Sequence, residues 1–317
     1  MTKHLIFFSI VFLNLNFVLF FQKREVVEEV KIVIEPGMQL NQISDTLFKK
    51  SLIKNKLVFN LWVRINNSEK KLKFGEYSFT KEVSVNLILK KLKNGKTLSR
   101  KITIVEGTTK TDLLNALNNL DSNTTLSYED IPDYIVANTY FYKFTDNPKV
   151  ILKNIAKESS YLSRKIWNDR DLSIPLKNIN ELFILASIVE KETFLNEEKP
   201  IISGVFYNRL EKKMKLQSDP TVVYAITLGK KKMDRKLLRK DLKFKSKFNT
   251  YLHKDLPPSP ICIPGIESLV GTAKPLKSNY LYFVSKNMKN EGHLFSENYK
   301  DHLENIKLIK ERNTINE

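Results

Sequence analysis

The stretch LASIVEKET, residues 185–193, closes an apolar run that starts at Leu182. Asn178, with Glu181 three residues further on, matches the pattern of side chains that caps the start of a helix. The run is too apolar for a solvated helix, so the sequence predicts a helix that is buried over most of its length and ends in charged residues.

Glu190 falls at the tail of the buried run, and two interpretations of it are open. On helical spacing it shares a face with Ala186 and Ser187, whose small side chains would leave room for a ligand. A plain surface helix end is the commoner explanation of such a residue. Glu192 lies two residues on, roughly on the opposite side, and is predicted to be solvated, as is the Glu197–Glu198 pair.

Two later blocks place polar side chains between apolar flanks. MKLQSDPTVVYA (214–225) surrounds a proline with hydroxyl, amide and carboxylate groups. NTYLHKDLPPSPICIPG (249–265) contains four prolines, which favour a stiff, extended loop. Such loops shape grooves, and they serve equally often as plain connectors.

The composition limits the classes of protein to which this chain can belong. The chain has 317 residues, with 42% hydrophobic and 28% charged, which is typical of a folded protein large enough for two domains. One cysteine, Cys262, excludes an intrachain disulfide and a thiolate metal cluster. The four histidines show no metal-ligand spacing, so neither a metal nor another cofactor is expected.

The net charge of +18 raises the question of nucleic-acid binding. Lysines recur along the whole chain, and no nucleic-acid-binding motif accompanies them. The sequence therefore favours a basic surface without a nucleic-acid partner, and anionic lipid headgroups or an acidic polymer stay open as partners.

The N-terminus predicts a membrane anchor. Residues 5–21, LIFFSIVFLNLNFVLFF, are nearly all apolar, are flanked by basic residues and lack a small-residue cleavage site. We expect one uncleaved transmembrane helix within residues 1–24, with the rest of the chain on one side of the membrane.

The predicted fold class is α+β. Residues 25–34 alternate in hydrophobicity, which is typical of a strand, and FGEYSF (74–79) is predicted to form a second strand. Helices are predicted near 40–48, 58–65 and 84–95. This small unit, residues 25–100, carries no cluster of catalytic residue types. The larger remainder, residues 101–317, is predicted to be the catalytic α+β domain.

The ordered blocks LASIVEKET, NRL, LQSDPTVVYA, NTY, LPPSPICIPG, YLYFVS (280–285) and GHLFSENYKDH (292–302) resemble the endolytic murein transglycosylases, the YceG-like or MltG family. The resemblance implies a bacterial protein of the cytoplasmic (inner) membrane with one membrane anchor, a LysM-like domain and an outward-facing catalytic domain. It also implies peptidoglycan glycan strands as substrate and penicillin-binding proteins of the elongation machinery as partners.

The resemblance implies that Glu190, the first glutamate of EKE, is the catalytic acid. A lytic transglycosylase needs one such acid, because the C6 hydroxyl of the substrate replaces water and yields a 1,6-anhydro end. On this basis Glu190→Gln should abolish cleavage with the fold intact, and Glu192→Gln should retain most activity. The expected substrate-binding residues are Gln217, Ser218, Asp219, Asn249 and Tyr251, with Pro257 and Pro258 as a wall.

Each groove residue has a structural alternative: Asp219 before Pro220 suits a turn or helix cap, and Tyr251 suits a core. The block at 132–140 departs from the family pattern EGYLFPDTY, and Asp133 is the one candidate to replace its glutamate. The rival functions are a non-catalytic peptidoglycan-binding scaffold of the cell-wall synthesis machinery and, on charge alone, a nucleic-acid-binding membrane protein.

Overall fold

The structure is a computed structural model that describes residues 23–121, 123–286 and 291–315. The predicted membrane anchor at residues 5–21 lies outside the described residues. Within the described ranges, no helix has both the length and the apolar character needed to cross a membrane.

Helices and strands are mixed along the chain. The strands are β1 (Arg24–Ile34), β2 (Gly75–Val83), β3 (Ser99–Thr103), β4 (Thr139–Lys143), β5 (Tyr282–Ser285) and β6 (His293–Ser296). The helices are α1 (Leu40–Lys49), α2 (Lys56–Ile65), α3 (Val85–Asn94), α4 (Lys110–Asn118), α5 (Pro148–Asn168), α6 (Ile179–Glu192), α7 (Lys199–Glu211), α8 (Asp219–Thr227), α9 (Ile266–Ala273) and α10 (Tyr299–Ile315).

The described residues divide into two compact units. One comprises the residues up to Lys101 together with Phe141–Asp146, and the other comprises the remainder. The sequence did not anticipate that Phe141–Asp146 would join the first unit, because these residues are far from the rest of that unit along the chain.

The first unit is an antiparallel β1–β2 ribbon packed with three helices. Ile32 lies opposite Tyr77 in this ribbon, and both side chains are buried in its core. Ser84 caps the start of α3 by accepting from the Leu87 amide, and Gly95 ends that helix with a φ of 65°. The strands and helices predicted for this segment are confirmed. Its LysM-like class stays a prediction.

The second unit is built around α6. Leu182, Phe183, Leu185, Ile188 and Val189 are all fully buried, so nearly the whole circumference of the helix is covered. Helices α5, α7, α8 and α9 supply that cover, and the antiparallel β5–β6 hairpin packs with α10. The predicted helix start is confirmed, since the Asn178 side chain accepts from the Glu181 amide.

The proline-rich loop packs against the face of α6 that carries the small side chains of Ala186 and Ser187. The Ser187 hydroxyl accepts from the Ile261 amide at 3.0 Å and donates to the Ile184 carbonyl at 2.7 Å. The Cys262 thiol lies 3.3 Å from the Ser187 carbonyl, and burial raises the pKa of that thiol. The expectation that Ala186 and Ser187 leave room for a ligand is therefore wrong, because protein fills this space.

A close backbone approach at α7 yields a testable consequence. Gly204 is buried inside this helix, and an added Cβ would collide with the backbone carbonyl oxygen of Leu276. Gly204→Ala should lower the free energy of unfolding by about 1–3 kcal/mol, although alanine has the higher helix propensity. Denaturant unfolding measures this, with Glu211→Ala at the exposed end of α7 as control. Equal or higher stability of Gly204→Ala would contradict the packing.

Candidate active site

Glu192, the last residue of α6, is a half-buried carboxyl at the edge of a cavity. The Ser218 hydroxyl donates a short hydrogen bond to its Oε1. Burial raises the pKa of Glu192 to about 7, the Ser218 hydrogen bond opposes that rise, and the negative charge of Asp219 adds to it. Near neutral pH this carboxyl is thus present in both its acid and its base form. The prediction that Glu192 is solvated is wrong.

The cavity beside Glu192 has a volume of about 370 Å³. One side is polar and the other is aromatic. It is lined by Glu192, Arg209, Gln217, Asp219, Tyr251, Tyr282, Phe283, Tyr299 and His302.

The polar side of the cavity is held in place by hydrogen bonds at the start of α8. Gln217 adopts a left-handed φ of 49°, and its amide donates to the Thr250 carbonyl at 3.2 Å. The Ser218 amide donates to the Thr250 hydroxyl at 3.0 Å, and the Thr221 hydroxyl donates to the Ser218 carbonyl at 2.6 Å. These bonds fix the turn from which Gln217 and Asp219 reach the cavity.

Asp219 is oriented by Tyr251, whose hydroxyl donates to its Oδ1 at 2.6 Å. Tyr251 is in turn placed by Asn249. The Asn249 side chain is fully buried, accepts from the Tyr251 amide at 2.9 Å and donates to the carbonyls of Leu242 and Phe244. Of the predicted binding residues, Gln217, Asp219 and Tyr251 line the cavity. Ser218 and Asn249 act behind it.

Arg209 and the residues on the aromatic side of the cavity were not predicted as site residues. Arg209 is 7% exposed, and it donates to the carbonyls of Leu281 (2.7 Å) and Leu216 (2.6 Å). Its guanidinium lies 5.5 Å from the centre of the Tyr282 ring. The only sequence signal for these residues was their membership of the NRL, YLYFVS and GHLFSENYKDH blocks, because distant parts of the chain form the cavity wall.

His302 completes the aromatic side. Its ring stacks on Tyr282 with centroids 5.2 Å apart, and Tyr299 lies 5.8 Å from Tyr282. Burial and the charge of Arg209 lower the pKa of His302, which keeps the imidazole neutral at pH 7. The His302 Nδ1 atom is buried and has no hydrogen-bond partner among the described residues.

Glu190 lies outside this cavity. Its side chain is 5% exposed and is enclosed where α6 packs against α7 and α9. Its Oε2 accepts from the Gly265 amide at 2.8 Å and from the Ser268 hydroxyl at 2.7 Å, both at the start of α9. Its Oε1 lies 3.5 Å from the ammonium of Lys199, which is also buried. Glu190 does not line the cavity, and all of these contacts tie helices together. Its predicted catalytic role stays a prediction that this geometry does not favour.

Glu198 also departs from its predicted solvated state. It is buried and accepts from the Thr193 hydroxyl at 3.0 Å and from the His293 amide at 2.6 Å, with His293 Nδ1 2.7 Å from its Oε2. Burial by itself would raise the pKa of Glu198, but the hydrogen bonds from His293 outweigh it and leave that pKa lowered. The prediction of a solvated Glu198 is wrong, because this carboxylate anchors the β6 end of the hairpin.

The remaining candidates lie outside this cavity. Asp133 forms an ion pair with Lys110 at 3.0 Å, and neither Pro257 nor Pro258 lines the space beside Glu192. Within the described ranges, no three His, Cys, Asp or Glu side chains converge as a metal site would require.

Comparisons with known proteins agree on one family. The YceG-like family model matches residues 32–308. The endolytic murein transglycosylase of Bacillus subtilis (strain 168) is 30% identical over 308 residues, which cover 86% of this chain and 82% of that protein. The endolytic murein transglycosylase of Streptococcus pneumoniae serotype 2 is 28% identical, over 87% of this chain and 58% of that protein. A crystal structure of a YceG-like protein from Listeria monocytogenes matches at 28% identity and a TM-score of 0.49, over 87% of this chain and 99% of that one.

The position of Glu190 leads to a stability prediction that replaces the expectation of an intact fold. Glu190→Gln keeps the size of the side chain but removes the charge opposite the buried Lys199 ammonium. The free energy of unfolding should therefore fall by about 3 kcal/mol. Chemical denaturation tests this, with Glu192→Gln as matched control on the same helix. Equal stability of Glu190→Gln and the wild-type chain would contradict a bracing role.

Proposed function

Because the chain belongs to the YceG-like family, which confirms the resemblance drawn from its motifs, we propose that it is an endolytic lytic transglycosylase. Its substrate would be the glycan strands of nascent peptidoglycan, cut between N-acetylmuramic acid and N-acetylglucosamine. The alternative of a non-catalytic scaffold gives no reason for a carboxyl with a pKa near 7 in a polar cavity.

The observation that carries the proposal is the environment of Glu192. A general acid works best when its pKa lies near the working pH, because it can then both give up and recover a proton. Glu192 has this property and faces open space, whereas Glu190 is enclosed by Gly265, Ser268 and Lys199. We therefore assign the acid to the second glutamate of the EKE triplet.

In the proposed reaction Glu192 donates its proton to the glycosidic oxygen as the bond to C1 of the muramyl sugar breaks, and that bond's electron pair stays on the leaving oxygen. The C6 hydroxyl of the same sugar attacks C1, and the Glu192 carboxylate takes up its proton. A 1,6-anhydro end forms, and Glu192 returns to its acid form.

The other cavity residues suit supporting roles. C1 develops positive charge as the bond breaks, and the Asp219 carboxylate, oriented by Tyr251, would stabilise that charge. Gln217 would bond hydroxyl or acetamido groups. The exposed ring of Tyr299 provides an apolar face against which the C–H face of a sugar would stack.

Several features of the family stay proposals for this chain. They are an uncleaved anchor at residues 5–21 in the cytoplasmic membrane, a LysM-like role for residues 25–100, a catalytic domain on the outer side, limitation of strand length, and contact with penicillin-binding proteins. Protease added outside the cell should cut the C-terminal part of the chain; its complete protection would contradict this topology.

The acid assignment predicts opposite outcomes for two neighbouring glutamates. Glu192→Gln should lower glycan cleavage by about 10²–10⁴-fold, since the amide cannot donate the proton. Glu190→Gln should retain cleavage per folded molecule. Mass spectrometry of treated glycan strands measures both the rate and the product.

Two results would count against this scheme. Loss of chemistry in folded Glu190→Gln with persistence in Glu192→Gln would place the acid at Glu190. New reducing ends in place of 1,6-anhydro ends would show that water, rather than the C6 hydroxyl, is the nucleophile.

Ser218 gives a pH prediction. Its hydroxyl stabilises the charged form of Glu192 and so lowers that pKa, against the larger effect of burial. In the wild-type chain kcat/KM should fall as pH rises through about 7, where Glu192 loses its proton. Ser218→Ala should move this fall to higher pH, because it removes a stabiliser of the carboxylate.

The matched control for this profile is Ser203→Ala, which removes a buried hydroxyl of α7 that donates to the Lys199 carbonyl. Ser218 starts α8 without a side-chain capping bond, so its loss should not weaken that helix. An unchanged or downward-shifted profile in Ser218→Ala would show that another group carries the proton.

A further inference from the structure

A second cavity adjoins the one that Glu192 faces. It has a volume of about 580 Å³ and shares Asp219 with the first cavity. Consecutive residues of α6 serve the two spaces, since Lys191 lines the second and Glu192 the first. The two cavities therefore meet at Asp219, close to where a ligand would lie against Glu192.

This second cavity is rich in cations. Lys191, Lys231, Lys232 and Arg235 line it, against the single carboxylate of Asp219. Three of the four cations belong to residues 230–247, a segment with ten Lys and Arg and two Asp. The most basic part of the sequence thus supplies three of the cations beside the candidate active site.

The cations differ in how firmly they are held. Arg235 is fixed by two bonds to Asp241, at 2.6 and 3.0 Å, so its charge is largely matched. Lys191 donates to the Gly107 carbonyl at 3.2 Å, which positions the ammonium without neutralising it. Lys231 and Lys232 are exposed and form no ion pair with the described residues. The cavity therefore keeps a net positive charge for a ligand.

The cavity also has apolar lining residues, among them Val223, Met233, Leu237 and Ile261. A bare phosphate would use the cations and leave this surface in contact with water. An acidic peptide uses both, because its carboxylates pair with lysines while its aliphatic side chains cover the apolar part.

On the basis of the proposed function, we propose that the second cavity binds the peptide stem of the muramyl sugar through the stem's free carboxylates. The stem branches from the sugar placed next to Glu192, so it reaches the neighbouring cavity without a separate binding event. Strands that carry acidic stems are then preferred over strands whose stems are removed or amidated.

The test uses the full-length chain and a probe without a glycosidic bond, so binding does not depend on any cleavage activity. The probe is an N-acetylmuramyl tripeptide with free carboxylates, compared with the same molecule after its carboxylates are converted to amides. The acid probe should bind about 10-fold more tightly, and Lys231→Gln with Lys232→Gln should remove that preference. Because the lysines are exposed, 0.5 M salt should also remove most of it.

The matched control is Lys245→Gln with Lys247→Gln, which removes two exposed charges from the same basic segment but outside the cavity. It should leave the preference intact. Equal binding of acid and amide probes, equal effects of the two double variants, or displacement of the probe by inorganic phosphate at equal concentration would overturn the proposal. If the wild-type chain cleaves no glycan and the acid probe is still preferred, the proposed function fails and the anionic-stem site stands.

Discussion

The second unit depends on one buried charge pair. Glu190 links α6 to the start of α9 and to Lys199 at the start of α7, so a single carboxylate holds three helices together. A carboxylate at a helix start also meets the positive end of the helix dipole, which makes that start a favourable place for it. The end of α6 is thereby fixed, and with it the position of Glu192 two residues later.

The two glutamates show how environment separates chemically identical groups. Glu190 is matched by an amide, a hydroxyl and an ammonium, which occupy both of its carboxyl oxygens. Glu192 has one hydroxyl donor, lies half-buried at the edge of the cavity and has Asp219 nearby, so burial disfavours its charged form and its pKa rises to about 7. The environment of Glu190 suits holding helices together, and the environment of Glu192 suits proton transfer.

Local patterns predicted the elements of the fold well. The Asn178 cap, the Ser84 and Gly95 limits of α3 and the β1 strand all follow from residues within a few positions of each other. The family was also evident from the order of the motifs. The choice between Glu190 and Glu192 was not, because helical spacing shows that they face different ways but not which face is covered.

That cover comes from far along the chain. The loop containing Ile261 and Cys262 closes one face of α6, and a hairpin some ninety residues beyond α6 supplies Tyr282 to the cavity beside Glu192. No local pattern links such distant segments. Sequence reasoning therefore found Gln217, Asp219 and Tyr251, which lie in polar blocks, and missed Arg209 and His302, which gain their roles only through tertiary contacts.

The single cysteine has a practical consequence for spectroscopy. Cys262 is buried, and burial disfavours its thiolate, the form that reacts with maleimides and iodoacetamides. A second cysteine introduced at an exposed position would then be the preferred target for a fluorophore or spin label in the otherwise native chain. Distances between two such introduced labels become measurable without first replacing Cys262, whose contact with Ser187 would be lost by such a replacement.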